Sequence, residues 1–277
     1  MTSRSVMGRG RRSAKQASDS SAMEAAARWG LAARGAVYVL VGLLALRIAF
    51  GDSGKQADRG GALEELAKQP FGAVLVWALG IGMVGMALWR LSEALFGAAG
   101  PKGHKVSKRL TSAVRCVFYG LVAYSVISFA VGEKSSGSSD KQSQDVTARA
   151  LELPLGRWLV GLGGLVIVGA GLWIVVRAIQ RKYRKHLKLS EMSKRTEQAV
   201  DVLGVAGGVC RGVVFTVAGG FAVSAAVKYD PDEAKGLDDT LRSFADTPAG
   251  RWLLVVMAVG LVMFGLFSFA MARWRKV

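Results

Sequence analysis

The sequence predicts an all-α, polytopic membrane protein with six transmembrane helices, built as three tandem two-helix repeats in a pseudo-threefold arrangement. Three observations carry this. Six apolar runs cover Trp29–Phe50, Phe71–Leu91, Ser112–Val131, Arg157–Val176, Val205–Val227 and Trp252–Met271. At ~1.5 Å rise per residue, each is long enough to cross the ~30 Å hydrocarbon core of a bilayer. The segments between the runs alternate between basic and acidic, and the residues that open each pair of runs recur three times. A soluble helical bundle would not keep its apolar segments so long, so regular and so poor in acidic residues; Glu93 alone risks reaching the hydrocarbon, at a run end.

Residues 1–28 are polar, with Arg4, Arg9, Arg11, Arg12 and Lys15 set among Ser and Gly, and read as a disordered basic tail. The run that follows is too long for the apolar region of a cleaved signal peptide, so the first span is expected to be an uncleaved anchor. The modules then fall at 29–100, 101–190 and 191–277.

Charge sets the expected orientation. The tail, the second and fourth connecting segments and the C-terminus together hold 22 Lys and Arg, eight of them between Arg177 and Arg195. The other three segments hold nine, against fourteen Asp and Glu. Basic segments are retained in the cytoplasm, so both termini are expected there, in the cytoplasmic membrane. Trp29, Trp89, Trp173 and Trp274 would mark the inner boundary, and Trp158 and Trp252 the outer one. The net charge of +17 then needs no nucleic-acid partner: basic loops favour anionic headgroups, so membrane lipids are the expected partners, with other membrane proteins beside them.

The repeat is explicit. The first helices carry Arg34-Gly35-Ala36-Val37-Tyr38, Arg115-Cys116-Val117-Phe118-Tyr119 and Arg211-Gly212-Val213-Val214-Phe215, each with an aromatic one turn beyond the arginine and a small residue at i+8: Gly42, Ala123, Gly219. The second helices open on Pro70-Phe71-Gly72, Pro154-Leu155-Gly156 and Pro248-Ala249-Gly250, with Pro suited to the first helical position. Ahead of each Pro, the stretches Ala62–Lys68, Val146–Leu153 and Leu237–Thr247 predict short interfacial helices in the outer loops. Glycines along the second helices allow close backbone approach.

These motifs, with the Trp89-Arg90-Leu91-Ser92-Glu93 helix ending, resemble the bacterial membrane family catalogued as domain of unknown function 1206. The resemblance covers about residues 28–277. It implies three tandem two-span modules in the cytoplasmic membrane and brings no activity with it. Phe215 and Phe267 depart from the Tyr and Trp of the other modules.

Catalytic chemistry is not expected. His104 and His186 lie in basic loops, and no metal-ligand spacing, nucleophile–base set, intramembrane carboxylate pair or cofactor motif is present. Cys116 and Cys210 read as small packing residues. The residues that need explaining are Arg34, Arg115 and Arg211, since an arginine in a span costs about 2.5–3.5 kcal/mol at mid-bilayer. They either snorkel as interfacial anchors or converge as a cytoplasm-facing pocket for an anion or lipid phosphate, with Tyr38 and Tyr119 beneath. Glu93 could pair with Arg34; Arg47 should snorkel outward. The expected function is that of a structural or accessory envelope protein binding lipid or membrane partners. A small-solute or anion transporter using the arginine-lined pocket is the alternative, weakened by span centres that lack polar residues.

The charge argument is tested by labelling. In a background lacking Cys116 and Cys210, Lys185→Cys should react with an impermeant maleimide only in inverted vesicles, and Asp232→Cys only in intact cells. The opposite pattern inverts the protein.

Overall fold

The computed structural model describes residues 21–51, 56–97, 106–132 and 138–276, with side chains from Glu24 onward. The described residues are all-helical, with no strand: α1 (Ser21–Ala49), α2 (Arg59–Ala67), α3 (Gly72–Phe96), α4 (Val106–Ala130), α5 (Ser139–Leu151), α6 (Gly156–Ile179), α7 (Lys194–Lys228), α8 (Leu237–Ala245) and α9 (Gly250–Trp274). Six of them, α1, α3, α4, α6, α7 and α9, are long and apolar enough to cross a membrane. The molecule is a multi-pass membrane protein, and α2, α5 and α8 are the three expected short helices.

The expected tail lies outside the described residues as far as residue 20, but residues 21–28 are helical rather than disordered. Arg28 closes an i,i+4 pair with Glu24 at 2.6 Å and donates to the Ala272 carbonyl at 2.8 Å. That bond satisfies an orphan acceptor at the end of α9 and places the start of α1 and the end of α9 on one face of the bundle, here the basic face.

The connection into each second helix differs from expectation in a way that repeats. Pro70, Pro154 and Pro248 sit in a turn two residues ahead of the helix rather than at its first position. Each turn is closed by the glycine N–H: Gly72 to Gln69 O (2.8 Å), Gly156 to Leu153 O (2.8 Å), Gly250 to Thr247 O (2.7 Å). Phe71 and Leu155 are left-handed, at φ 62° and 64°, and so cannot continue a right-handed helix. A Cβ at Gly72 or Gly156 would strike the carbonyl oxygen of Ala67 or Ala150, so glycine is required where the chain doubles back under the interfacial helix.

The strongest helix pairings run between modules: α3 with α4, α6 with α7, and α9 with α1. Each joins the second span of one module to the first of the next, in the cyclic order one, two, three, one. Small residues seven apart, two turns on one face, make the close approaches. Gly164 and Gly171 of α6 meet the backbone of Gly219 and Gly212 of α7, and Gly265 of α9 meets that of Gly35 of α1. Within modules, α1 packs on α3 and α7 on α9, but α4 and α6 have no comparable contact. The six spans therefore pack in the order α4, α3, α1, α9, α7, α6, and the ring this order describes is left with one seam, between the two helices of the second module.

The interfacial helices close the opposite, acidic face in the same cyclic order. Asp58, 1% exposed, caps α2 through Gly61 N (2.9 Å) and accepts from Ser139 N of module two (2.6 Å). Asp140 accepts from Asp239 N of module three (3.1 Å), and Asp238 from Ala57 N of module one (2.7 Å). Asp140, Asp238 and Asp239 offer carboxylate oxygens within 4.8 Å of one another, but one oxygen of Asp140 is engaged in these bonds and both of Asp238 are engaged, the second by Arg242 at 2.8 Å. Arg47 points outward, as expected, and pairs with Glu65 at 3.1 Å.

Burial, followed by the charges of Asp239, Asp238 and Asp58 and partly offset by the Asp239 N–H, pushes Asp140 up from 3.8 to about 6. A folded-state pKa above the unfolded one contributes stability that is full below the unfolded pKa and lost as pH rises through the folded one. The thermal midpoint should therefore fall between about pH 4 and 6. Asp140→Asn, which keeps an acceptor for Asp239 N–H, should remove that dependence and raise stability at neutral pH by up to ~3 kcal/mol. A pH profile unchanged by the substitution excludes Asp140 as its source.

Candidate functional site

Toward the basic face, the interior of the ring collects guanidinium groups. Arg34 of α1 donates through Nε to Ser268 Oγ at 3.2 Å and lies 5.3 Å from the Phe264 ring centroid. Ser268, fully buried on α9, donates its own hydrogen bond to the Phe264 carbonyl at 2.9 Å. Arg211 of α7 donates through Nε to the Tyr38 hydroxyl at 2.8 Å. Its guanidinium lies 4.8 Å from Phe264 and 5.0 Å from Phe215. Tyr38 meets Phe264 edge-on, centroids 4.7 Å apart. Two arginines from different modules thus share one aromatic ring, whose face attracts cations.

The repeat reads correctly for Arg211 and Phe215, which are i and i+4 on one helix. Tyr38, by contrast, serves the arginine of another module. Tyr119 lies in electrostatic range of Arg34, Arg90 and Arg211. Arg115 is in range of Arg90, Glu93, Tyr119 and Arg211, yet its side chain is exposed. The structure therefore brings Arg34 and Arg211 together and sets Arg115 at the edge.

The expected Arg34–Glu93 pair is not formed. Glu93 pairs with Arg90 at 2.6 Å and accepts from Ser112 Oγ at 3.1 Å. Arg90 is three residues away on the same helix, so the pair closes without any tertiary reach, while Arg34 is held on α9. Arg90 and Arg275 were counted among loop charges by sequence, and both belong to the site. The Arg90 side chain is only 5% exposed. Their guanidinium groups lie 4.1 and 4.5 Å from Trp89, which is itself 5% exposed and not a boundary anchor. Both Nε atoms are buried with no hydrogen-bond partner among the described residues. A sequence signal existed for Arg90, since an i,i+3 Arg–Glu pair beside a Trp on an apolar helix is unusual. None existed for Phe264 and Ser268, which look like ordinary apolar-helix residues.

The basic face is not open above this cluster. The segment after α6 folds back across it: Lys188 N donates to Trp274 O and Lys276 N to His186 O, both at 2.8 Å. This pairing drives Leu187, 2% exposed, among Leu31, Met86, Trp89, Val200 and Phe267. Arg184, bonded to Glu197 and to Asp201 (3.1 Å), ties the segment to α7. The pocket foreseen as facing the cytoplasm is plugged at that end.

The fold and this cluster define a class: a multi-pass helical membrane protein made of repeated two-span modules with an arginine-rich interior. Three stretches, residues 29–97, 110–181 and 206–275, match the model of the domain of unknown function DUF1206. The chain belongs to that family. It is also 29% identical over 243 residues, 87% of each chain, to the uncharacterized protein YxxB of Bacillus subtilis (strain 168). No solved structure matches the chain.

The Tyr38–Arg211 contact can be measured. Tyr38→Phe keeps the ring and removes the acceptor, so it should cost about 1–3 kcal/mol, seen as a lower thermal midpoint. In a double-mutant cycle with Arg211→Gln the two losses should not add; strict additivity would show that the residues are uncoupled.

Proposed function

We propose that this protein is a non-catalytic, accessory protein of the cytoplasmic membrane, with its basic face and both termini toward the cytoplasm, and that it holds an anionic lipid headgroup in its arginine-lined interior. The observation that supports this reading is the charge balance of the site. Arg34, Arg90, Arg115, Arg211 and Arg275 lie within electrostatic range of one another as a group, and the one carboxylate in range of that group, Glu93, is already engaged by Arg90 and Ser112. Arginine supplies five N–H donors in a fork matched to phosphate. In a bilayer each unmet donor costs free energy that water cannot return. Aromatic faces offset part of that cost, and an anion would offset the remainder. The alternative of a solute transporter gains less support, because Leu187 closes the basic face and the span centres remain apolar.

Replacing Arg34, Arg115 and Arg211 together with Gln should strip co-purifying anionic lipid to background while the protein still inserts. Arg115→Gln alone, at the exposed edge, should lower bound lipid without loss of yield. Unchanged lipid content at unchanged yield in both variants would sink the reading.

A further inference from the structure

Resting on the lipid reading above, we infer that the cluster is reached sideways through the seam between α4 and α6, and that its ligand is a phospholipid whose headgroup is a phosphate monoester.

Access follows from what is closed and what is open. The basic-face end is stoppered by Leu187 and sealed by the pairing of the C-terminal residues with the segment 186–188. The acidic-face end is knitted by the reciprocal Asp58, Asp140 and Asp238 bonds. Around the side, neighbouring spans pack on one another at every position except between α4 and α6. Arg115 locates the opening. Its electrostatic partners Arg90, Glu93 and Arg211 lie on α3 and α7, inside the ring, yet the residue is exposed. Arg115 is in electrostatic range of the buried cluster while the residue keeps an exposed surface, so it lies at the margin between the interior and its surroundings, which here are lipid. The helices at the seam are correspondingly apolar on the outside, with Val117, Phe118 and Leu121 on α4 and Leu172, Val176 and Ile179 on α6 all exposed. A soluble anion has no apolar part to place there, whereas acyl chains do.

The headgroup class follows from charge and donors. Five guanidinium groups against one carboxylate leave a surplus that a singly charged phosphodiester meets poorly. A monoester carries about −1.5 to −2 near neutral pH and three acceptor oxygens. The buried N–H groups of Arg90 and Arg275 at Nε, unmet by protein, are two donors of the kind those oxygens accept.

The test uses the full chain in phosphatidylcholine nanodiscs, with binding read by native mass spectrometry and stopped-flow tryptophan fluorescence. Short-chain phosphatidate should bind about tenfold tighter than phosphatidylglycerol, and Arg275→Gln should bring the two within about twofold. Inorganic phosphate at equal concentration should not displace phosphatidate, and Leu187→Ala should leave the rate of loading unchanged. Equal binding of the two lipids overturns the monoester assignment while leaving the lipid reading intact. Displacement by inorganic phosphate overturns the lipid source. Faster loading in Leu187→Ala moves access to the basic face. Binding of neither lipid overturns this inference and the lipid reading together.

Discussion

A guanidinium inside a bilayer cannot be solvated by acyl chains, so whatever stabilises it must come from the protein or from an anion the protein holds. The organisation of this bundle follows from that constraint. Arg34 and Arg211 come from spans of different modules, and both are met by one helix, α9, which presents Phe264 to the two guanidinium groups and Ser268 to Arg34. That helix is the hub of the ring: 56% of its apolar window is buried, against 11% for α6. It occupies the position because Gly265 and Ala258 admit α1 on one side while Gly260 admits Cys210 of α7 on the other. Close backbone approach is therefore what lets a single aromatic ring serve two cations.

The two faces of the bundle are finished by different chemistry. On the acidic face the closures are hydrogen bonds from backbone N–H groups to carboxylates, accepted in cyclic order by Asp58, Asp140 and Asp238. Short helices with free N-terminal donors invite such acceptors. On the basic face a hydrophobic side chain, Leu187, fills the opening, and backbone pairing with the chain end holds it in place. The first kind of closure repeats with the modules. The second occurs once, because it is made from the C-terminus and from the segment linking modules two and three.

The spans, their grouping in pairs, the interfacial helices and the intramembrane arginines were all legible in the sequence, because each is written in residues close together along the chain. Apolar length, charge alternation and the Arg-x-x-x-aromatic spacing are local quantities. What was not legible is the pairing between modules. Tyr38 and Arg211 are separated by 173 positions, and the repeat shows only that each arginine has an aromatic one turn beyond it on its own helix. Arg90 was misread for a related reason. Counting charge at a run end assumes that the end faces water, whereas the segment around Leu187 covers it and leaves Arg90 and Trp89 inside. Pro70 and Pro154 were misjudged by two residues because the left-handed conformation of Phe71 and Leu155 has no signature in residues that rarely adopt it; in the third module Gly250 takes that conformation instead.

The departure of module two from the pattern of its neighbours has an electrostatic logic. A closed ring with three equivalent arginines would bring Arg115 beside Arg34 and Arg211, three cations around one patch of aromatic surface. At an effective dielectric of ~20 and a separation of ~8 Å, each added like-charge pair costs about 2 kcal/mol, more than a cation–π contact of roughly 1–2 kcal/mol returns. Keeping α4 apart from α6 leaves Arg115 at the margin, where it can be partly hydrated or met by a headgroup. The loss is the packing between two helices, and in a bilayer that loss is small, since lipid chains solvate apolar helix surface about as well as another helix does. The same substitution in water would expose two apolar faces and close the ring. A bilayer thus tolerates an unpacked seam that water would not, and Arg115 lies beside it.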